Sequence, residues 1–136
     1  MITHEADWDS QRWFNFTPGE FACKSSKELK ISPRILDFLQ AWRTHVEERV
    51  TINSGYRSPN YNMSVSKTGM DGPHTTGLAV DLATNTQTQY QLLKFVMNYT
   101  EPPIGIGVAK NFTHVDYCDE TVNPKFNVRP NVWRYT

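Results

Sequence analysis

Two short segments of this 136-residue chain carry histidine and aspartate at spacings that suit chemistry. The first is Gly72-Pro73-His74-Thr75-Thr76-Gly77-Leu78-Ala79-Val80-Asp81, the second Phe112-Thr113-His114-Val115-Asp116. Ser54-Gly55-Tyr56-Arg57 and the glycine turn Gly105-Ile106-Gly107 are two more segments that a plain core does not need. If residues 112–118 form a strand, alternation puts His114 and Asp116 on one face. Along 77–81, Gly77, Ala79 and Asp81 share a face, and the two small residues leave room beside the carboxylate. Were the two strands neighbours, Asp81, His114 and Asp116 would converge, and His74 could fold onto the same spot. A catalytic zinc site takes three protein ligands of nitrogen and oxygen type and leaves the fourth position to water. Such a water is acidified toward a pKa of roughly 7 and becomes a nucleophile, while a carboxylate beside it takes the proton and hands it to the leaving amine. Two imidazoles and two carboxylates are a sufficient set for that work. The planar fork of Arg57 would pair with a carboxylate.

Each residue taken singly has a plainer reading. His114 could be a hydrogen-bonded strand residue, Asp81 a strand end and Arg57 a surface arginine in a turn. His4, near the terminus, and His45, on a surface helix, have only that plainer reading.

The elements that must position these groups are mixed. Residues 1–31 read as an irregular arm, with turn chemistry at Thr17-Pro18-Gly19 among Trp8, Trp13, Phe14, Phe16 and Phe21. Ser32-Pro33 is a helix start, and Ile35, Leu39, Trp42 and Val46 give one apolar face over 33–48. Val50 to Ile52 and Leu78 to Leu82 read as strands, separated by a Ser-, Asn-, Gly- and Pro-rich loop over 57–76. Loops of that length in compact domains are often functional. Thr86 with Gln89 suits a capping box for a second helix, which Pro102-Pro103 ends. Ile104 to Val108 and Phe112 to Cys118 are two further strands, and Val132-Trp133 closes a packed C-terminal segment. The pattern is α+β, with a small antiparallel sheet and packed helices in one domain over residues 1–136.

Composition narrows the function classes. Fourteen basic and fourteen acidic residues balance and are spread evenly, so neither a nucleic-acid stripe nor a polybasic membrane anchor is present. No apolar run approaches the ~18–20 residues of a membrane span. Cys23 and Cys118 form no CxxC and read as two free, buried thiols. Residues 1–7 have neither the basic nor the apolar part of an export signal, so synthesis in a reducing cytoplasm is expected.

The motifs together resemble the zinc D-alanyl-D-alanine peptidase family. That family includes D,D-carboxypeptidases, vancomycin-resistance D,D-dipeptidases and phage L-alanyl-D-glutamate endolysins, and it shares its core fold with the Hedgehog signalling domain. The pattern SxHxxGxAxD is met by His74, Gly77, Ala79 and Asp81, with Gly72 where the pattern has Ser. GIGV followed by FxHVD is met by Gly105 to Val108 and Phe112 to Asp116. SGYRSPxYN is intact from Ser54 to Asn62, Glu20-Phe21-Ala22-Cys23 resembles an EFxC opening, and Trp133 a terminal RW. The likeness spans residues 14–134.

The resemblance implies zinc held by His74, Asp81 and His114, with Arg57, Ser54 and Tyr56 toward the substrate and Arg57 near the scissile carbonyl. Many relatives carry a glutamate three residues before the last ligand. That position is Asn111 here, which leaves Asp116 as the candidate base. The implied protein is a zinc peptidase acting on the stem peptide of bacterial peptidoglycan, a monomer that inserts in no membrane. A bare catalytic domain without an export signal or wall-binding module suits a phage-type endolysin that reaches the wall after release. A D,D-carboxypeptidase trimming terminal D-Ala is the alternative, and a non-catalytic zinc-containing recognition domain is the alternative of another class.

Overall fold

In a computed structural model, which describes residues 1–135, the sheet that carries the histidines has five strands. These are β1 (Ile52–Ser54), β2 (Ala79–Ala83), β3 (Gly105–Val108), β4 (Phe112–Asp116) and β5 (Asn131–Arg134), in the order β1-β2-β4-β3-β5. The first four pair antiparallel. The expected all-antiparallel sheet is corrected at its far edge, because β5 runs parallel to β3. The long return from β4 through residues 117–130 carries the chain back to the start of β3, where a parallel strand can form.

Register does most of the positioning. Ser54 pairs with Asp81, Asp81 with His114, His114 with Gly107 and Gly107 with Trp133, a single row across all five strands. One step along, Ala79, Asp116, Gly105 and Asn131 form a second row. Period-two alternation sends these side chains to one face and Val80, Leu82, Ile106 and Val115 to the other, where they join the core.

That core is closed by two helices. In α1 (Pro33–Val46) Ser32 Oγ accepts the Arg34 N–H at 3.2 Å, and Pro33 takes the first helical position, where it forfeits no bond. Ile35, Leu36, Phe38, Leu39 and Trp42 are buried. In α3 (Thr86–Asn98) the cap is Asn85, not Thr86, and Thr88 completes the box. Gln89 instead reaches the β3–β4 hairpin, donating to Thr113 Oγ1 at 3.0 Å and to the Ala109 carbonyl at 3.1 Å. The arm over 1–31 has only 3-10 turns and an isolated bridge between Ile2 and Ile31, yet it drives Trp13, Phe16 and Phe21 into the core.

The stretch expected as a loop over 57–76 contains a short helix, α2 (Pro59–Val65). Its start repeats the Ser-Pro signature: Ser58 accepts the Tyr61 N–H at 3.3 Å, with Pro59 at the first position. Seven residues burying only Asn62 leave no apolar periodicity by which to see it.

The turn after β1 is pinned to the arm. Tyr56 N–H donates to the Phe21 carbonyl at 2.8 Å, and Arg57 N–H to the His74 carbonyl at 3.0 Å. A Cβ on Gly55 would lie within 3 Å of the Phe21 backbone, which cannot yield as a side chain could. We expect Gly55→Ala to destabilise the fold by roughly 1–3 kcal/mol, the usual range for overpacking. Urea denaturation checks this, and an unchanged midpoint would show that the arm moves freely.

Candidate metal centre

His74, Asp81 and His114 are buried and offer one donor atom each, all within 4.8 Å of one another. Asp81 and His114 come from facing positions on β2 and β4. His74 arrives from the 3-10 turn Pro73–Thr75 just before β2. Asp81 Oδ1 is 3.2 Å from His74 Nε2 and 2.9 Å from His114 Nδ1. Ligands on a tetrahedral zinc with bonds of ~2.0–2.1 Å lie about 3.3 Å apart, so the donor set is already close to the spacing a zinc ion needs.

Which ring nitrogens face inward follows from what lies behind each ring. His74 Nδ1 is 2.7 Å from the Gly55 carbonyl, which can only accept. Nδ1 therefore carries the proton. Burial pushes the His74 pKa down against the pull of Asp81, so the ring is neutral and Nε2 is a bare lone pair. A bare nitrogen facing a carboxylate oxygen at 3.2 Å is repulsive unless a cation sits between them. On the other side, His114 Nε2 donates to Asp116 Oδ2 at 2.7 Å and Nδ1 points to Asp81. Burial alone lowers the His114 pKa, but the hydrogen bonds and charges of Asp116 and Asp81 outweigh it and carry it up to about 9. Asp81 is pushed up by burial, yet the hydrogen bond and charge of the His114 imidazolium hold it below the usual carboxylate range.

Asp116 lies behind His114, opposite the donor cluster. It is completely buried, and its oxygens accept from His114, from Arg129 Nε at 3.1 Å and Nη2 at 2.8 Å, and from the Cys118 N–H at 3.1 Å. The expectation that Asp116 is the base meets this geometry and fails on it: the carboxylate is walled off from the cluster by the imidazole it supports. Asn111 is exposed in the β3–β4 turn and lines no part of the site.

Arg57 stands at the open side. Its Nε donates to Ser54 Oγ at 3.1 Å, its Nη1 to Asn62 Oδ1 at 3.0 Å, and its Nη2 reaches Asp81 Oδ2 at 3.5 Å. Asn62 is held in turn by its amide on Thr68 Oγ1 at 2.9 Å. This bears on Gly72: a Cβ there would overlap the Thr68 hydroxyl and the Asn62 amide, so a serine requires the side chains that brace Arg57 to shift. Ser54 thus braces Arg57, and Tyr56 is buried against the arm, away from the hollows beside the cluster.

The glycine segment is strand β3 and not a turn. A Cβ at Gly107 would collide with the Trp133 indole and the Tyr135 ring, so its absence lets Trp133 fold across to His114, ring centroids 5.2 Å apart. A cavity of about 500 Å³ opens onto the cluster, walled by Arg57, Phe112, Trp133 and Tyr135. His4 is exposed, and His45, in the last turn of α1, packs on Phe95; neither is near the site. Arg129 and Trp133 belong to the C-terminal segment, and no spacing rule in the sequence linked them to the histidines.

The family model of peptidase M15 matches residues 14–116. The chain belongs to the peptidase M15 family. Members are zinc-dependent peptidases, and the His-Asp-His cluster of this one has the donor types and proximity that such an ion needs. A search of curated protein sequences finds no match to the chain.

The raised His114 pKa has a sign that can be tested. In the metal-free protein the imidazolium contributes stability that is complete below its ordinary pKa of about 6.5 and is lost as the pH rises through about 9. A metal at Nδ1 replaces that proton. The melting temperature of metal-free protein is expected to fall between pH 6.5 and pH 9, and that of zinc-loaded protein to hold nearly level. Calorimetry with and without zinc checks this; equal falls would mean the proton is not where the metal goes.

Proposed function

We propose that this M15 peptidase is a zinc endopeptidase that cuts within the stem peptide of bacterial peptidoglycan, with His74 Nε2, Asp81 Oδ1 and His114 Nδ1 holding the ion. When bound, the ion would supply an acidified water and polarise the scissile carbonyl. Arg57, already held on Ser54 and Asn62, would turn its remaining N–H donors toward the carbonyl oxygen and the charge that develops on it. Its fixed fork lowers the cost of orienting the substrate.

The observation that carries cleavage inside a peptide is the shape of the groove. Beside the main cavity a second hollow of about 330 Å³ shares Arg57, Val65, Asp81 and Phe112 with it and continues toward Lys24 and Asn53. The two hollows together would leave room for chain on both sides of the scissile bond, which supports cleavage inside a peptide. A carboxypeptidase trimming terminal D-Ala needs a wall just past that bond. Release through a lysed host membrane, as for a phage endolysin, suits such an enzyme.

A second reading, zinc-assisted recognition without hydrolysis, is favoured by one observation. Among the described residues, Asp81 is the only carboxylate lining either hollow.

Digestion of purified peptidoglycan separates these readings. New amino termini are expected with zinc and none after chelation, and mass spectrometry should find internal stem-peptide fragments. Loss of a single terminal alanine would instead identify a carboxypeptidase. Full zinc occupancy without any cleavage would identify a recognition domain. His74→Ala and Asp81→Ala are each expected to lose zinc and at least about a hundredfold in turnover.

A further inference from the structure

We propose that Arg129 is a positioning residue of the metal site, acting through Asp116 to fix the ring orientation and tautomer of His114. This rests on the zinc reading above. Arg129 lies outside the span 14–116 that the family model matches. It is nonetheless brought behind Asp116 by the segment that leads into β5, where it also borders the main cavity.

Its guanidinium meets Asp116 as a two-pronged fork, Nε on Oδ1 at 3.1 Å and Nη2 on Oδ2 at 2.8 Å. The plane is packed against Phe126 and Trp133, 5.4 and 4.7 Å from the ring centroids. Only 7% of the Arg129 side chain and none of that of Asp116 is exposed. Room for the pair comes from Gly105, where a Cβ would strike both Asp116 Oδ1 and Arg129 Nε. A contact this buried, with a glycine cleared for it in the neighbouring strand, is not a surface ion pair.

The consequence for His114 is electrostatic. Asp116 Oδ2 accepts the Nε2 proton of His114, and that bond leaves Nδ1 as the nitrogen facing Asp81 and His74. A histidine donating its outer N–H to a carboxylate is a more basic and better oriented ligand. Once Nδ1 carries a metal in place of a proton the ring is neutral. The only formal counter-charge then left on the fully buried Asp116 is Arg129. Without the fork, Asp116 keeps only the His114 Nε2–H and the Cys118 N–H as donors, so nothing holds the plane of its carboxylate against turning away from Nε2.

The test measures zinc affinity by competition with a chromogenic chelator, together with the visible spectrum of the cobalt-substituted protein, which reports ligand geometry. Arg129→Met keeps the stem that packs on the aromatic rings and removes the fork. It is expected to weaken zinc binding by about 10–100-fold, the usual effect of losing an outer partner of a ligand, and to shift the cobalt bands. Arg129→Lys, with charge but no fork, should recover part of the loss. In an Asp116→Asn background, Arg129→Met should add less than about a twofold change, because the two residues act as one unit.

A folded Arg129→Met protein with wild-type zinc affinity and cobalt spectrum would overturn the proposal and leave Arg129 as a structural staple. A full loss in the Asp116→Asn background would overturn it too, since Arg129 would then act by another route. Should Arg129→Met not fold, Arg129→Lys is read alone, and unchanged affinity and spectrum in it overturn the proposal. A wild-type chain that takes up no zinc sinks the metal reading itself, and does so before any variant is compared.

Discussion

The site depends on one buried imidazole held from both sides. His114 is almost fully enclosed, with Asp81 at one nitrogen and Asp116 at the other. Burying two carboxylates is costly unless each finds charge and hydrogen bonds to replace water. The chain answers with two guanidinium groups, Arg57 on the open side of Asp81 and Arg129 behind Asp116, so a line of alternating charge runs through the sheet. Each member owes its orientation to the next. His114 has no freedom to present a different nitrogen, and Asp116 is spent on holding it there.

Such a line needs space that strands do not ordinarily leave. Side chains on adjacent strands at facing positions stand about 4.5–5.5 Å apart, and a residue larger than glycine at 105 or 107 would fill the gap that Arg129 and Trp133 now occupy. The two glycines of β3 are therefore one device used twice. At 107 the missing side chain lets an indole from β5 cover the imidazole. At 105 it lets a guanidinium from the segment before β5 reach a carboxylate two strands away. The parallel pairing of β5 with β3 completes the arrangement, since it sets Trp133 opposite Gly107 and Asn131 opposite Gly105.

What could be read from the residues alone was whatever depends on local period. Alternation along 112–116 places His114 and Asp116 on one face, and Ser32-Pro33 marks the start of α1. Those rules act over a few residues, and the fold respects them. The failures share a different cause. The role of Asp116 turned on which nitrogen of His114 faces the cluster, and that is decided by Arg129, thirteen residues later and across the sheet. The parallel edge strand rests on a fourteen-residue return with no periodicity of its own. Helix α2 is too short to show an apolar face, although Ser58-Pro59 carries the same start signature as Ser32-Pro33. Gly72 looked like a lapse from the family pattern, and what bears on it is the position of Thr68.

The even balance of fourteen acidic and fourteen basic residues hides a local exception. Around the cluster two carboxylates face two guanidinium groups and cancel. The neutral His74 adds nothing, and the His114 imidazolium leaves one positive charge. A divalent ion that displaces that proton raises the local total by one unit only. The metal-free site is thus close in charge to the loaded one, with the Nδ1 proton standing where the ion would bind. A site of this kind keeps its carboxylates in place without the metal, because the imidazolium already bridges them. It also spares the ion much of the work of ordering its own ligands, since the imidazole is oriented from behind before any cation arrives. The electrostatic design lies less in attracting a cation from a distance than in making the exchange of a proton for a metal nearly free of rearrangement.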